Sequence, residues 1–186
     1  IAPPVATPSS YIQSSLYDAS VRSSALQQQL TEFGESILQT TRYPGSKFMI
    51  TLQVIRDDGS LLSVCHNAIM EAILHGGLPA NMTTTAITVA CISYNEQIQF
   101  KVDPTLVQES QANGVITVVM RNAAYSHDII SKKSTLIEPT EKDEDEISDI
   151  LAFYTDKTWS FTNITQGLKL AKRVALIQSE KMRANE

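Results

Sequence analysis

The stretch LQVIRDDGSLLSVCHNAIMEAILHGGLP, from Leu52 to Pro79, decides the fold. It opens with alternating apolar residues, breaks at Asp57-Asp58-Gly59-Ser60, and continues as an apolar run too long for a strand. Leu61, Val64, Ala68 and Ala72 fall on one helical stripe, and Leu62, Cys65, Ile69 and Ile73 fall on a second beside it. One stripe makes a surface helix, whereas two adjacent stripes predict a helix buried between neighbours. Ser60 stands where it can cap the helix N-terminus, and Gly76-Gly77 with Pro79 beyond gives the stop. A helix N-terminus behind a glycine turn presents free N–H groups and the positive end of the helix dipole. The turn therefore either binds an anion or only seats a core helix. The residues themselves leave both readings open.

Towards the N-terminus, Phe48, Ile50, Leu52 and Val54 alternate, which predicts a strand over residues 48–55 feeding the turn. Arg42-Tyr43-Pro44-Gly45 separates it from an expected helix over residues 20–41 with Leu26, Leu30, Phe33 and Ile37 on its apolar face. Residues 1–19 carry Pro3, Pro4 and Pro8 and are expected to be an extended lead-in. Towards the C-terminus, strands are expected over residues 87–94, 97–102 and 115–121, with turns at Asn95-Glu96 and Asn113-Gly114. Residues 126–134 are a weaker strand. An acidic insertion near residues 134–149 holds Glu138, Glu141, Asp143, Glu144, Asp145, Glu146 and Asp149. A strand over 150–154 and a helix over 162–183 complete the chain, the helix turning Ile164, Leu168, Ala171 and Ile177 inward and Lys169, Lys172 and Arg173 outward. This order predicts one α+β domain over residues 20–186, a mixed sheet with helices packed on it.

With 186 residues, 42% hydrophobic and 19% charged, the chain is long enough to bury a core. A net charge of −5 and a pI near 5.2 argue against gripping nucleic acid by its own charge, since phosphate surfaces need clustered Lys and Arg. Lys132-Lys133 and Lys169, Lys172 and Arg173 are short surface clusters without interleaved aromatics, so a small RNA-binding module has little to stand on. Cys65 and Cys91 lie in apolar runs and are expected to be buried thiols. No run approaches the ~20 apolar residues that span a bilayer. The start shows neither the basic nor the apolar region of a signal peptide, so the protein is expected inside the cell, with the sequons at Asn81 and Asn163 as chance matches.

Little catalytic chemistry is visible. His66, His75 and His127 lack ligand spacing, and the acidic insertion lacks the glycine and alternation of a calcium loop. No nucleophile elbow or glycine-rich nucleotide loop occurs. No metal site, cofactor or catalytic residue is therefore expected. The Asp-Gly turn and the segment over residues 102–120, which has the pattern of a β-hairpin edge, are what remain.

Tyr43-Pro44, Leu52-Gln53-Val54, Asp58-Gly59-Ser60-Leu61-Leu62, Cys65, Asn67-Ala68, Gly77-Leu78-Pro79 and Val102-Asp103-Pro104-Thr105 together resemble the RNase PH family, and within it the RNase PH-like ring subunits of the eukaryotic RNA exosome. The likeness runs from about residue 20 to 121 and more weakly through the last helix. It implies the RNase PH-like fold (ribosomal protein S5 domain 2-like). Active members of that family are phosphorolytic: inorganic phosphate attacks the 3′-terminal RNA linkage and releases a nucleoside diphosphate.

Two motifs of the resemblance bear on activity here. Active members have a turn like Asp-Gly-Gly-Thr-Arg, whose Thr and Arg help hold phosphate, and leucines stand at the matching positions in this chain. Active members also have an aspartate, Glu-Asp five and six residues later, and Asp six residues beyond. Counting from Asp103, those positions are Gln108, Glu109 and Val115. Val115 can neither bind a metal nor move a proton. The resemblance thus implies a degenerate site in a structural ring subunit that scaffolds and channels RNA for 3′-to-5′ degradation and processing. It further implies other RNase PH-like subunits, cap subunits and a separate nuclease as partners, no membrane, and residence in nucleus, nucleolus and cytoplasm. The alternative is an active phosphorolytic exoribonuclease using Glu109 and a carboxylate from elsewhere. Family members place several strands ahead of the first helix, and the proline-bearing lead-in has no evident match to them.

Overall fold

The computed structural model describes residues 12–44, 46–94, 97–122 and 150–184. In chain order the elements are α1 (Ile12–Ile37), a 3-10 turn (Thr40–Arg42), α2 (Leu61–His75), β1 (Thr84–Tyr94), β2 (Gln97–Val102), α3 (Leu106–Gln111), β3 (Gly114–Arg121), β4 (Ile150–Thr155) and α4 (Phe161–Ala184). The strands form one sheet in the order β2-β1-β3-β4. The α+β expectation holds, but every pairing among the described residues is antiparallel, so the sheet is not mixed. The two residues between β1 and β2 allow only an antiparallel pair, since parallel neighbours require a crossover of about a dozen or more residues.

Helices cover both faces of the sheet. On one, Phe33, Ile37 and Leu38 join Ile69, Met70 and Ile73 of α2 over Ala86 and Val119. On the other, Ala171 and Ala175 of α4 pack on Ile87, Val89, Ile116, Val118 and Met120, with Trp159 and Phe100 at the margin. Alternation along β1 and β3 divides these two sets, since successive side chains point to opposite faces. Because β1 lies between two strands and under two layers, the residues from Thr84 through Cys91 are all buried.

Several expectations are corrected. Helix α1 starts at Ile12, not near residue 20, because the lead-in prolines all precede it and nothing in residues 12–19 breaks a helix. The segment over residues 48–55 forms no strand pairing: the outer strands of the sheet are β2 and β4, and neither takes it as a neighbour. Phe48 packs edge-on to Tyr43 and Ile50 lies against Gly34, while Met49 and Ile55 stand almost fully exposed. In α2 only the stripe with Cys65, Ile69 and Ile73 is buried; Val64, Ala68 and Ala72 face outward. Ser63 and His66 go inward instead, because the sheet and α1 cover α2 from one side. Ile177 is half exposed, and Ala171 and Ala175 take the inner face of α4. The strand over residues 126–134, the acidic insertion, Asn95-Glu96, Gly45, His127, Lys132-Lys133 and residues 1–11 lie outside the described residues. No helix among the described residues is long and apolar enough to cross a membrane.

Candidate functional site

The Asp57–Ser60 turn is bent by two consecutive residues with positive φ, Gly59 at 104° and Ser60 at 54°. Asp57 Oδ1 accepts the Gly59 N–H at 3.0 Å, closing the turn on itself. Ser60 holds the N-cap position of α2, but its side chain does not cap the helix. Its Oγ donates instead to the Pro104 carbonyl at 3.1 Å, while its own carbonyl accepts the Ser63 hydroxyl and the Val64 N–H. The cap expected of Ser60 is thus replaced by a tether to the segment before α3. A positive-φ residue with its hydroxyl committed elsewhere lacks the extended geometry an N-cap uses.

That segment sits directly on the turn. The Leu106 N–H donates to the Asp58 carbonyl at 2.7 Å, and a Cβ on Gly59 would stand 2.3 Å from the Pro104 carbonyl oxygen. Glycine is required here by both backbone angle and space. Helix α3, expected as part of a hairpin edge, is started by a capping box: Thr105 Oγ1 accepts the Gln108 N–H, and Gln108 Oε1 accepts the Thr105 N–H. The Thr-x-x-Gln spacing was present in the sequence and carries that signal.

Helix α3 delivers Glu109 to the head of α2. Its Oε1 accepts the Ser60 N–H at 2.7 Å. One N–H at the head of this turn, that of Ser60, therefore already holds a carboxyl group from the same chain. A carboxylate at this place is favoured by the helix dipole. Its neighbours act against it: burial first, then Asp57, Asp156 and Asp103, push the Glu109 carboxyl above the ordinary carboxylate range, with the Ser60 N–H pulling the other way. Leu61 and Leu62 beside it are half-buried and offer no hydroxyl or guanidinium.

The remaining motif positions separate. Asp103 adopts positive φ (52°), and its N–H donates to the Thr88 carbonyl. Gln108 is spent on the capping box. Val115, the second residue of β3, lies beside a carboxylate that its sequence pattern did not signal, since its N–H donates to Asp156 Oδ1 at 2.7 Å. Asp156 follows β4, and the antiparallel register that sets Ile116 against Thr155 brings it opposite Val115. Only the pairing of β3 with β4 could have revealed this, and nothing local to either residue signals it. Among the described residues, no three His, Cys, Asp or Glu side chains are placed to hold a metal ion.

The histidines lie elsewhere. His75 pairs with Glu71 one turn before it on α2 at 3.1 Å. His66 is buried in the core, neither ring nitrogen is hydrogen-bonded among the described residues, and burial lowers its pKa to about 4. Cys65 and Cys91 are free, buried thiols, both raised above the ordinary range by burial, Cys65 also by Asp57.

No protein-family model matches the chain. It is 27% identical over 145 residues to the exosome complex exonuclease RRP46 homolog of Oryza sativa subsp. japonica, covering 76% of this chain and 57% of that protein. It is 27% identical over 88 residues to the exosome complex component ski6 of Schizosaccharomyces pombe, covering 47% of this chain and 35% of that one. The chain thus spans only about half the length of the rice relative, and less of the yeast one. Among solved structures it is similar to rice Rrp46, with a TM-score of 0.62 and 22% identity over 88% of this chain and 65% of that chain. The RNase PH-like fold is therefore the fold of this chain, and its resemblance to the RNase PH-like exosome subunits is borne out by these relatives.

Proposed function

We propose that this chain is a non-catalytic, ring-forming structural subunit of an exosome-type RNA-degrading assembly. Its similarity to exosome subunits supports the assembly, and the Ser60–Glu109 hydrogen bond carries the loss of catalysis. A phosphate approaching the head of α2 meets a carboxylate already seated on the turn, with Asp57, Asp103 and Asp156 within electrostatic reach of it. Like charges about 4 Å apart repel by about 1 kcal/mol even at the dielectric of water. Leu61 and Leu62 offer no compensating donors.

In this reading the domain closes a ring with other RNase PH-like subunits, topped by cap subunits, and RNA passes through the channel to a separate nuclease. The processing served includes that of ribosomal RNA, in nucleus, nucleolus and cytoplasm. Closed rings depend on every head-to-tail contact, so loss of one member prevents closure. Size-exclusion chromatography with light scattering, on the chain mixed with candidate RNase PH-like partners, tests the role. Co-elution as a defined ring is expected, and a chain that stays monomeric with every partner refutes it.

One observation favours a second reading. Asp156 lies opposite Val115 and acts electrostatically on Glu109, so the two carboxylates could stand in for the acidic pair of a phosphorolytic exoribonuclease. Release of nucleoside diphosphates from RNA and phosphate by the isolated chain, lost in Glu109→Ala and in Asp156→Ala, would establish it.

A further inference from the structure

We propose that His66 makes the docking of α1 onto α2 and the sheet acid-sensitive, so that α1 comes away before the sheet unfolds as pH falls. The imidazole is 1% exposed and sits where α1, α2 and β4 meet. The Phe33 ring of α1 meets it edge-on at 4.3 Å, and the Tyr154 ring of β4 stacks on it at 5.9 Å. Among the described residues, neither ring nitrogen has a hydrogen-bond partner. A neutral imidazole tolerates this, but an imidazolium has two N–H donors and a full charge, and this pocket accepts neither.

Among the described residues, the surroundings hold no compensating anion. From β4 the only titratable group facing His66 is Tyr154. On α1, Glu32 is next to Phe33 in sequence and acts electrostatically on Tyr154, but not on His66. The sheet contributes Ala86 and Val119 to this core, neither of them titratable. Burial alone holds the imidazole down, to about 4. The folded state thus binds fewer protons than the opened one between the ordinary histidine value of 6.5 and about 4, and stability is lost as pH falls through that window.

Helix α1 is the element that yields. Among the described residues its contacts gather at its C-terminal end: Leu30, Phe33 and Ile37 at the core, with backbone bonds from Asn81 to Ile37 and, just beyond the helix, from Gln39 to Pro79. Strand β1, by contrast, is bonded to β3 over Thr84–Cys91 and to β2 over Val89–Tyr94, and helices cover both of its faces. Local opening follows the least supported element.

Hydrogen exchange of the full chain between pH 7 and 4.5, corrected for intrinsic exchange, tests the proposal. The opening constant of α1 amides is expected to rise about twentyfold from pH 7 to pH 5, for a lowering to about 4, while β1 amides keep their protection. His66→Leu should abolish the rise. His66→Phe, which keeps an aromatic ring between Phe33 and Tyr154, should do the same if leucine fails to fold. Protection of α1 that does not change with pH, or a rise that persists in a folded variant, overturns the proposal. An NMR titration of wild-type His66 decides independently: an ordinary value near 6.5 sinks it, and a value well below supports it.

Discussion

The Glu109 carboxylate receives the Ser60 backbone N–H at 2.7 Å across forty-nine positions of sequence, and this one bond ties the head of α2 to α3. It is both the electrostatic seal of the turn and a structural clasp. Those two roles respond differently to substitution.

Glu109→Gln keeps an oxygen for the Ser60 N–H while removing the charge that Asp57, Asp103 and Asp156 oppose. Its stability at neutral pH should equal or exceed that of the wild type in urea denaturation. Glu109→Ala removes the acceptor and should cost about 1–2 kcal/mol. The pH dependence has a definite sign. The folded-state pKa of Glu109 lies above its ordinary 4.5, so its contribution is greatest below that value and is lost as pH rises through the folded one. The wild type should therefore lose stability relative to Glu109→Gln over that interval, opposite in direction to the effect of His66.

Gly59→Ala tests the close approach of the two segments. Its φ of 104° and the 2.3 Å between an added Cβ and the Pro104 oxygen leave no relaxed solution. A loss of about 3 kcal/mol or more is expected, from backbone strain together with displacement of α3. A urea midpoint within error of wild type would contradict the described contact.

Much of this was legible in the sequence, and the failures share a cause. The turn, the glycine stop of α2 and the strands β1 and β3 follow from local residue chemistry, so pattern alone places them. The inward stripe of α2 did not follow, because Ser63, His66 and Asn67 outrank Val64 and Ala68 only once their partners on β1, β4 and α1 are in place. The unpaired segment over residues 48–55 has the alternation of a strand, but alternation does not provide a neighbouring strand. The Asp156–Val115 contact depends on register between strands far apart in sequence. Local signals specify elements, whereas the site is made by the packing of those elements.

Asn67 shows what such packing is worth. Its side-chain amide accepts the Ala86 N–H and donates to the Ala86 carbonyl, each at 2.8 Å, fastening α2 to the side of β1. Asn67→Ala leaves both backbone groups of Ala86 without these partners at the sheet–helix interface. The expected loss is about 2–4 kcal/mol, from two missing bonds plus the cost of unsatisfied buried groups. Asn67→Asp keeps the acceptor and forfeits the donor, so it should fall between the two in thermal or urea unfolding.

Gly114→Ala probes the opposite face, and the single tryptophan of the chain reports on it directly. An added Cβ would stand 2.3 Å from Trp159 Nε1, and the ring cannot simply retreat, since Gly167 lies against it and Phe100 stacks on it at 6.4 Å. The indole must tilt outward, which loosens α4 where its first turns meet β1 and β3. Overpacking of this kind costs about 1–3 kcal/mol. The Trp159 emission should shift to longer wavelength as the ring gains water, and the urea midpoint should fall with it. Emission that stays unchanged alongside lowered stability would place the strain in the β3 backbone, since only movement of the ring changes its exposure to solvent.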